Sequence, residues 1–165
     1  MGSYRITRRI GAPPEQVFRA FTDPKIVVDW MDAAAVLNPT GPLDEPGSRY
    51  TLVIGGPWRF ETEVIQVDAP HRHEVAGRGR LGAGYRMVAT ITAANGSTDL
   101  DLLTEYTVPF GALGRWIDRR WIDREPRTIA NREVARLVTL VSDREAVPQP
   151  KGASKVPALP LRPAG

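Results

Sequence analysis

The sequence contains no cysteine. That removes a disulfide framework and any thiolate chemistry, whether as nucleophile or as metal ligand. Histidine occurs only at His71 and His73. No helical HExxH motif and no carboxylate cluster at ligand spacing accompanies them, so a metal site would lack its third and fourth ligands, and none is expected. No apolar run approaches the ~18 residues of a membrane-spanning helix, and no signal-peptide hydrophobic region is recognisable. Both absences predict a cytoplasmic protein without stable membrane insertion. Lysine is confined to Lys25, Lys151 and Lys155. Together with the Ala, Pro and Gly content, that scarcity points to a GC-rich, bacterial coding genome.

What remains bounds the architecture. With 165 residues, of which 42% are hydrophobic, the chain is long enough for one core and short for two. The net charge is +3 and the isoelectric point near 9.6. In the C-terminal segment, however, arginines are interleaved with Asp118, Asp123, Glu125 and Glu133. That makes a mixed, salt-bridging face instead of a basic stripe and argues against nucleic acid as a partner. We expect one domain over residues 1–143. Residues 144–165, rich in Pro and Ala, bury too little apolar surface to offset the entropy of ordering and are expected to form a disordered tail. Asn95-Gly96-Ser97 matches a glycosylation sequon but reads better as a tight turn.

The order of the predicted elements is informative. Tyr4, Ile6, Arg8 and Ile10 alternate with Arg5, Thr7 and Arg9, a strand whose apolar face is interrupted at Arg8. Pro13-Pro14-Glu15 opens a helix running to about Phe21, and Thr22-Asp23-Pro24 ends it and starts a second helix reaching Trp30. Residues 48–54, 58–67, 71–77, 85–93 and 98–108 read as strands joined by short links, hence antiparallel, with Asn95-Gly96 as a hairpin turn. A long helical segment follows from about Ala112 to Val141, with Pro126 expected to kink or interrupt it. The fold class is therefore α+β: a curved antiparallel sheet gripping a long C-terminal helix over an internal cavity, with two short N-terminal helices.

Several motifs carry a family resemblance. Ile10-Gly11-Ala12-Pro13-Pro14-Glu15-Gln16-Val17-Phe18, then Thr22-Asp23-Pro24 and Asp29-Trp30, then Val67-Asp68-Ala69-Pro70-His71-Arg72, resemble in order and spacing the START-related helix-grip superfamily (SRPBCC, with the birch-pollen-allergen type of fold). Val108-Pro109-Phe110-Gly111-Ala112-Leu113-Gly114, leading into the long helix, is similar to its polyketide cyclase/dehydratase-like members. The resemblance covers roughly residues 4 to 143. It implies a hydrophobic cavity that holds lipids, polyketides, isoprenoids or similar molecules, in some members with cyclisation or dehydration. The function still has to be argued from the site.

Gly77-Arg78-Gly79-Arg80-Leu81-Gly82 has dinucleotide-binding spacing, but it leads into the alternating run 85–91 instead of a helix N-terminus, so it predicts a hairpin loop at the cavity rim. Alternation assigns an inward face: Tyr50, Leu52, Ile54; Trp58, Phe60, Thr62, Val64; His73, Val75; Tyr85, Met87, Ala89, Ile91; Leu100, Leu102, Thr104, Tyr106, Val108. A bulge would invert the assignment beyond it. Arg59, Glu61, Glu63, Arg72, Glu74, Arg86 and Glu105 fall on a solvated convex face.

Polar groups among apolar neighbours are what a pocket requires. His73, Tyr85 and Tyr106 are candidates for moving a proton or polarising a carbonyl, although the plainer reading of the histidines, and the one favoured, is a turn-exposed His71 and a partly buried His73 without a chemical role. Trp30, Trp58, Phe60, Thr62, Met87, Leu102 and Thr104 are candidate ligand contacts, with Trp30 and Met31 near an entrance. From the long helix, with its repeated Trp-Ile-Asp-Arg, Trp116, Arg127 and Asn131 fall near one stripe with Arg120, where Arg127 or Asn131 would bind an oxyanion. The expected partner is a hydrophobic or aromatic small molecule, handled by an aldol cyclase or dehydratase without a cofactor. The alternatives are a lipid, isoprenoid or quinone carrier, or an interaction protein with a collapsed cavity. Monomer and homodimer both remain open.

Overall fold

A computed structural model describes residues 1–31, 33–54, 58–107 and 125–145, and at 34, 125–127 and 143–145 it describes the backbone alone. The element order is β1 (Gly2–Ile10), α1 (Pro14–Thr22), α2 (Pro24–Trp30), β2 (Ala33–Leu37), β3 (Arg49–Ile54), β4 (Trp58–Asp68), β5 (Arg72–Arg78), a 3-10 turn (Arg80–Gly82), β6 (Gly84–Ala94), β7 (Ser97–Thr107) and α3 (Glu125–Glu145). The strands form one seven-stranded antiparallel sheet in the order β1-β7-β6-β5-β4-β3-β2. Apart from β2, every strand was legible within a residue or two. The alanine run Ala33-Ala34-Ala35 carries little strand propensity, and β2 exists because it pairs with β3, through a bulge.

Local chemistry positions the N-terminal helices. Pro13 caps α1 and Pro14 begins it, where a missing N–H costs nothing. The Asp23 carboxylate accepts the Lys25 backbone N–H at 3.0 Å and caps α2. The Trp30 indole at the end of α2 donates to the Ala20 carbonyl at 2.7 Å, tying the two helices together. Thr98 Oγ1 donates to the Ala12 carbonyl at 2.6 Å and anchors the start of α1 to β7.

The concave face holds the core, which α3 closes with Ala130, Val134, Leu137 and Val141. Those positions recur at i, i+4, i+7 and i+11 and form one apolar stripe. Each buried Val or Leu side chain there contributes about 2 kcal/mol relative to exposure. Arg8, the break in the apolar face of β1, reaches α3 and donates to Asn131 Oδ1 at 2.8 Å. The described part of α3 starts at Glu125, immediately before Pro126, so the expected kink or interruption at Pro126 falls at the border of the described residues. The expected helix from Ala112 to Arg124 and the expected tail beyond 145 lie outside the described residues.

Two details of the sheet depart from simple alternation. A bulge between Val64 and Gln66 leaves Ile65 unpaired, so that Val67, not Gln66, faces His73 on the inner side. Glu74, expected on a solvated convex face, is only 4% exposed. Arg72 and Arg86 cover it, donating to its two carboxylate oxygens at 2.7 Å and 2.9 Å.

Candidate ligand-binding cavity

One cross-strand row organises the site. Gly2, Tyr106, Tyr85, Gly77, Thr62 and Tyr50 are successive partners across β1, β7, β6, β5, β4 and β3. Two tyrosines side by side need room, and the glycines at their flanks provide it. A Cβ at Gly77 would collide with the Tyr85 ring, and one at Gly2 would meet the Tyr106 ring at 2.5 Å. The rings therefore lie across backbone that carries no side chain. Tyr85 also packs edge-to-face on Phe60, with centroids 5.4 Å apart.

Between this row, the neighbouring strand positions and α3 lies a cavity of about 430 Å³. Its walls are mostly apolar, with Ile54, Trp58 and Phe60 on one side, Met87 and Leu102 along the floor, and Trp30, Met31 and Ile129 from the helices. Trp58 and Ile129 are partly open to solvent, at 44% and 46% exposure, and mark an apolar mouth. The polar groups gather elsewhere in the lining: Tyr4, Thr104, Tyr106 and Thr107 from β1 and β7, Tyr85 from β6, and Glu133 from α3.

These hydroxyls differ in availability. Tyr85 Oη and Thr62 Oγ1 are 2.9 Å apart, and Thr62 donates to the Phe60 carbonyl at 3.3 Å. Either hydroxyl can donate in this pair, and the bond ties the Tyr85 phenol to β4. Burial pushes the Tyr85 phenol up to about 12, only partly offset by hydrogen bonding at Thr62 and Tyr50, and it pushes the Tyr50 phenol higher still. Burial also raises the Tyr4 phenol, and the nearby Glu133 carboxylate adds to that rise. The Tyr4 and Tyr106 rings are tilted neighbours at 6.3 Å. Thr104, paired directly with Tyr4 across the strands, lowers the Tyr4 phenol by more than Glu133 raises it, although its buried Oγ1 makes no well-formed hydrogen bond among the described residues.

Of the residues expected at the site, Trp30, Trp58, Phe60, Tyr85, Met87, Leu102, Thr104 and Tyr106 line this cavity. Three others are brought elsewhere. Thr62 lies behind Tyr85 and holds its phenol. Asn131 accepts from Arg8. His73 is 1% exposed, donates through Nε2 to the Leu43 carbonyl at 2.8 Å, and lies against the rings of Phe18 and Phe21. Its pKa is lowered, chiefly by burial. It is a core residue beneath α1, outside the cavity lining, and so out of reach of a ligand there. Trp116 lies outside the described residues, as does the Arg127 side chain.

Sequence reading missed Tyr4 and Glu133 as lining groups. Tyr4 was visible as part of the inward face of β1, while Glu133 looked like one more charge on a mixed helix surface. Among the described residues, no group of three or more His, Asp or Glu is placed to hold a metal, and no helix is long and apolar enough to cross a membrane.

Comparisons with solved structures agree with this geometry at the level of fold. A protein from Thermus thermophilus is similar with a TM-score of 0.65 and 19% identity over 87% of this chain and 99% of that one. Norcoclaurine synthase from Thalictrum flavum aligns with a TM-score of 0.61 and 16% identity, covering 86% of this chain and 87% of the enzyme. A protein of the dynemicin biosynthetic locus aligns with a TM-score of 0.57 and 20% identity over 85% of this chain and 47% of that one. No curated protein matches the sequence. The family model described as polyketide cyclase/dehydrase and lipid transport matches residues 1–142. With a helix-grip sheet, a closing C-terminal helix and that match, the chain belongs to the polyketide cyclase/dehydrase and lipid transport family, whose members have ligand-binding or cyclising roles.

Proposed function

We propose that this protein binds a hydrophobic or aromatic small molecule between the sheet and α3 and acts on it as a cofactor-independent polyketide cyclase or dehydratase. The observation that carries this reading is the placement of phenols, threonine hydroxyls and the Glu133 carboxylate among the mostly apolar described residues of the lining, behind an apolar mouth. A carrier needs polarity only where a head group meets water, whereas convergent polar groups inside the cavity suit proton movement.

In this reading the apolar walls fold a flexible polyketone into a reactive conformer. Glu133 accepts a proton from a carbon between two carbonyls. The resulting enolate carbon attacks a second carbonyl carbon within the same molecule. Tyr106, with Tyr4 beside it, donates a hydrogen bond to the oxygen on which charge develops. The alkoxide takes up the proton that Glu133 removed and becomes a hydroxyl; Glu133 then removes a further α-proton, which is delivered to that hydroxyl as the C–O bond breaks and water leaves. Tyr85, hydrogen-bonded to Thr62, shapes the wall against which the substrate packs.

Native mass spectrometry of gently purified protein, followed by extraction, would identify a co-purifying hydrophobe and the compound class to assay. Tyr106→Phe is expected to lower turnover about tenfold or more with binding retained. Unchanged turnover removes Tyr106 from the mechanism. A second reading, a non-catalytic lipid, isoprenoid or quinone carrier, is favoured by the exposed apolar pair Trp58 and Ile129 at the mouth. Stoichiometric recovery of an unaltered ligand without turnover would select it.

A further inference from the structure

Among the described residues, three other than glycine adopt positive φ: Asn38, Leu81 and Asn95. Asparagine tolerates that conformation because its short polar side chain can bond the local backbone, whereas leucine has no such compensation. Two hairpins of the one sheet show the contrast. Asn95-Gly96, with φ of 44° and 79°, joins β6 to β7, and Leu81-Gly82, with φ of 58° and 79°, lies at the tip between β5 and β6. Across that tip the Ala83 N–H donates to the Arg80 carbonyl at 3.1 Å and the Gly79 N–H to the Ala83 carbonyl at 2.9 Å. The result is a tight turn with two positive-φ residues at its centre, the setting that favours Asn-Gly. Leu81 occupies the asparagine position, and it is 68% exposed. Its side chain neither relieves the turn nor joins the core, so local folding does not account for it.

The turn stands at the edge of the cavity. Ala83 and Gly84, directly after it, belong to the lining, and a Cβ on Gly79 would lie 3.0 Å from the Phe60 ring and 3.3 Å from the Arg59 carbonyl. Trp58 of the mouth precedes Arg59 in β4. Arg59, Arg78 and Arg80 are all exposed beside these apolar groups, and the segment from Arg78 to Gly84 contains no acidic residue. Glu61, the register partner of Arg78, accepts from Thr51 Oγ1 at 3.0 Å. An apolar tip between arginines, near an amphipathic indole, suits an anionic lipid surface: leucine and indole reach the acyl boundary while the guanidinium groups stay with the phosphates. A second copy of the chain fits less well, because the arginines of two such tips would repel each other. We infer that the β5–β6 turn docks the protein reversibly on an anionic bilayer, with Leu81 as the apolar anchor and Arg78 and Arg80 as the headgroup contacts, so that the cavity mouth lies at the membrane. A hydrophobe then passes between bilayer and cavity without crossing bulk water, whether it is afterwards converted or carried.

Flotation of the full chain with vesicles tests this, using phosphatidylcholine alone and phosphatidylcholine with about one-third phosphatidylglycerol, at about 0.1 M salt. The wild-type protein is expected to partition onto the anionic vesicles at least about tenfold more strongly than onto the neutral ones. Arg78→Gln combined with Arg80→Gln should weaken that partitioning about tenfold or more, each arginine near the surface contributing about fivefold. Leu81→Asn gives the turn the residue it favours, so the fold is kept, and partitioning should fall about threefold to tenfold through loss of the apolar anchor. Leu81→Gly carries the same expectation and stands in should the first variant fail to fold. Equal partitioning onto both vesicle types, or none, overturns the inference. A folded Leu81 variant that partitions like the wild type overturns it as well, since the arginines would then act only as a general cationic patch. Binding to a short RNA without binding to vesicles, or self-association through Leu81 without it, overturns it in favour of that other partner. None of these outcomes touches the cavity reading, because no cavity ligand enters the experiment.

Discussion

His73 and Glu74 are adjacent in β5, nearly equally buried at 1% and 4% exposure, and point to opposite faces of the sheet. The difference in how each is satisfied separates the two faces. On the convex side Glu74 is covered by Arg72 and Arg86, and Arg86 also reaches Glu105 at 3.2 Å. Burial alone would raise the Glu74 carboxyl, but the two arginine hydrogen bonds outweigh it and hold the carboxyl below its ordinary value. On the concave side His73 has a single partner, the Leu43 carbonyl, and its Nδ1 makes no hydrogen bond among the described residues. Burial keeps it neutral. The convex face thus stabilises charge by pairing, while the core beneath α1 excludes it.

The sharpest way to break this contrast is to remove the central carboxylate. Glu74→Ala leaves Arg72 and Arg86 facing each other and is expected to cost about 2 kcal/mol, less than a fully buried pair because both arginines still reach water. The denaturant midpoint measures it, and a shift within error would show the cluster to be ornamental. On the concave side, Gly77→Ala drives a methyl into the Tyr85 ring. Displacing a ring held by Phe60 and Thr62 should cost about 1–2 kcal/mol and weaken ligand binding as well, the second effect separating this site from a purely structural one.

Acid titration sharpens the comparison further, because the two residues titrate in different windows. His73 has a folded pKa below its ordinary 6.5, so the unfolded chain binds the proton more readily. Its contribution to stability is complete above pH 6.5 and is lost as pH falls from there toward the folded value. Glu74 also has a lowered folded pKa, but from an ordinary 4.5, so its contribution is lost only as pH falls below that. Stability measured against pH should therefore decline in two steps, and His73→Leu should flatten the upper one. A single step below 4.5 would mean that His73 protonates without penalty. The smallest effect is expected at Arg9→Ala, whose pairing with Asp99 is solvent-exposed, with side chains 69% and 47% accessible. Its unfolding midpoint should match the wild type.

Much of this protein is legible in the chain. Pro13-Pro14, Thr22-Asp23-Pro24 and Asn95-Gly96 set helix starts and a hairpin through local backbone chemistry, and the structure has them where those residues demand. Alternation identified the inward faces of β3 to β7 because one side of each strand must leave water. Sequence alone did not reveal β2, whose alanines become a strand only when β3 supplies partners. Neither did it show which inward polar residues meet a ligand. His73 and Tyr85 look alike as polar groups on alternating strands, but α1 covers the first and the cavity opens before the second. Glu133 is indistinguishable in sequence from its charged neighbours until packing of α3 turns it toward the tyrosines. Periodicity and turn residues act over a few positions and so were determined by the sequence itself. The lining of a cavity depends on which distant elements converge, and only the tertiary structure decided that.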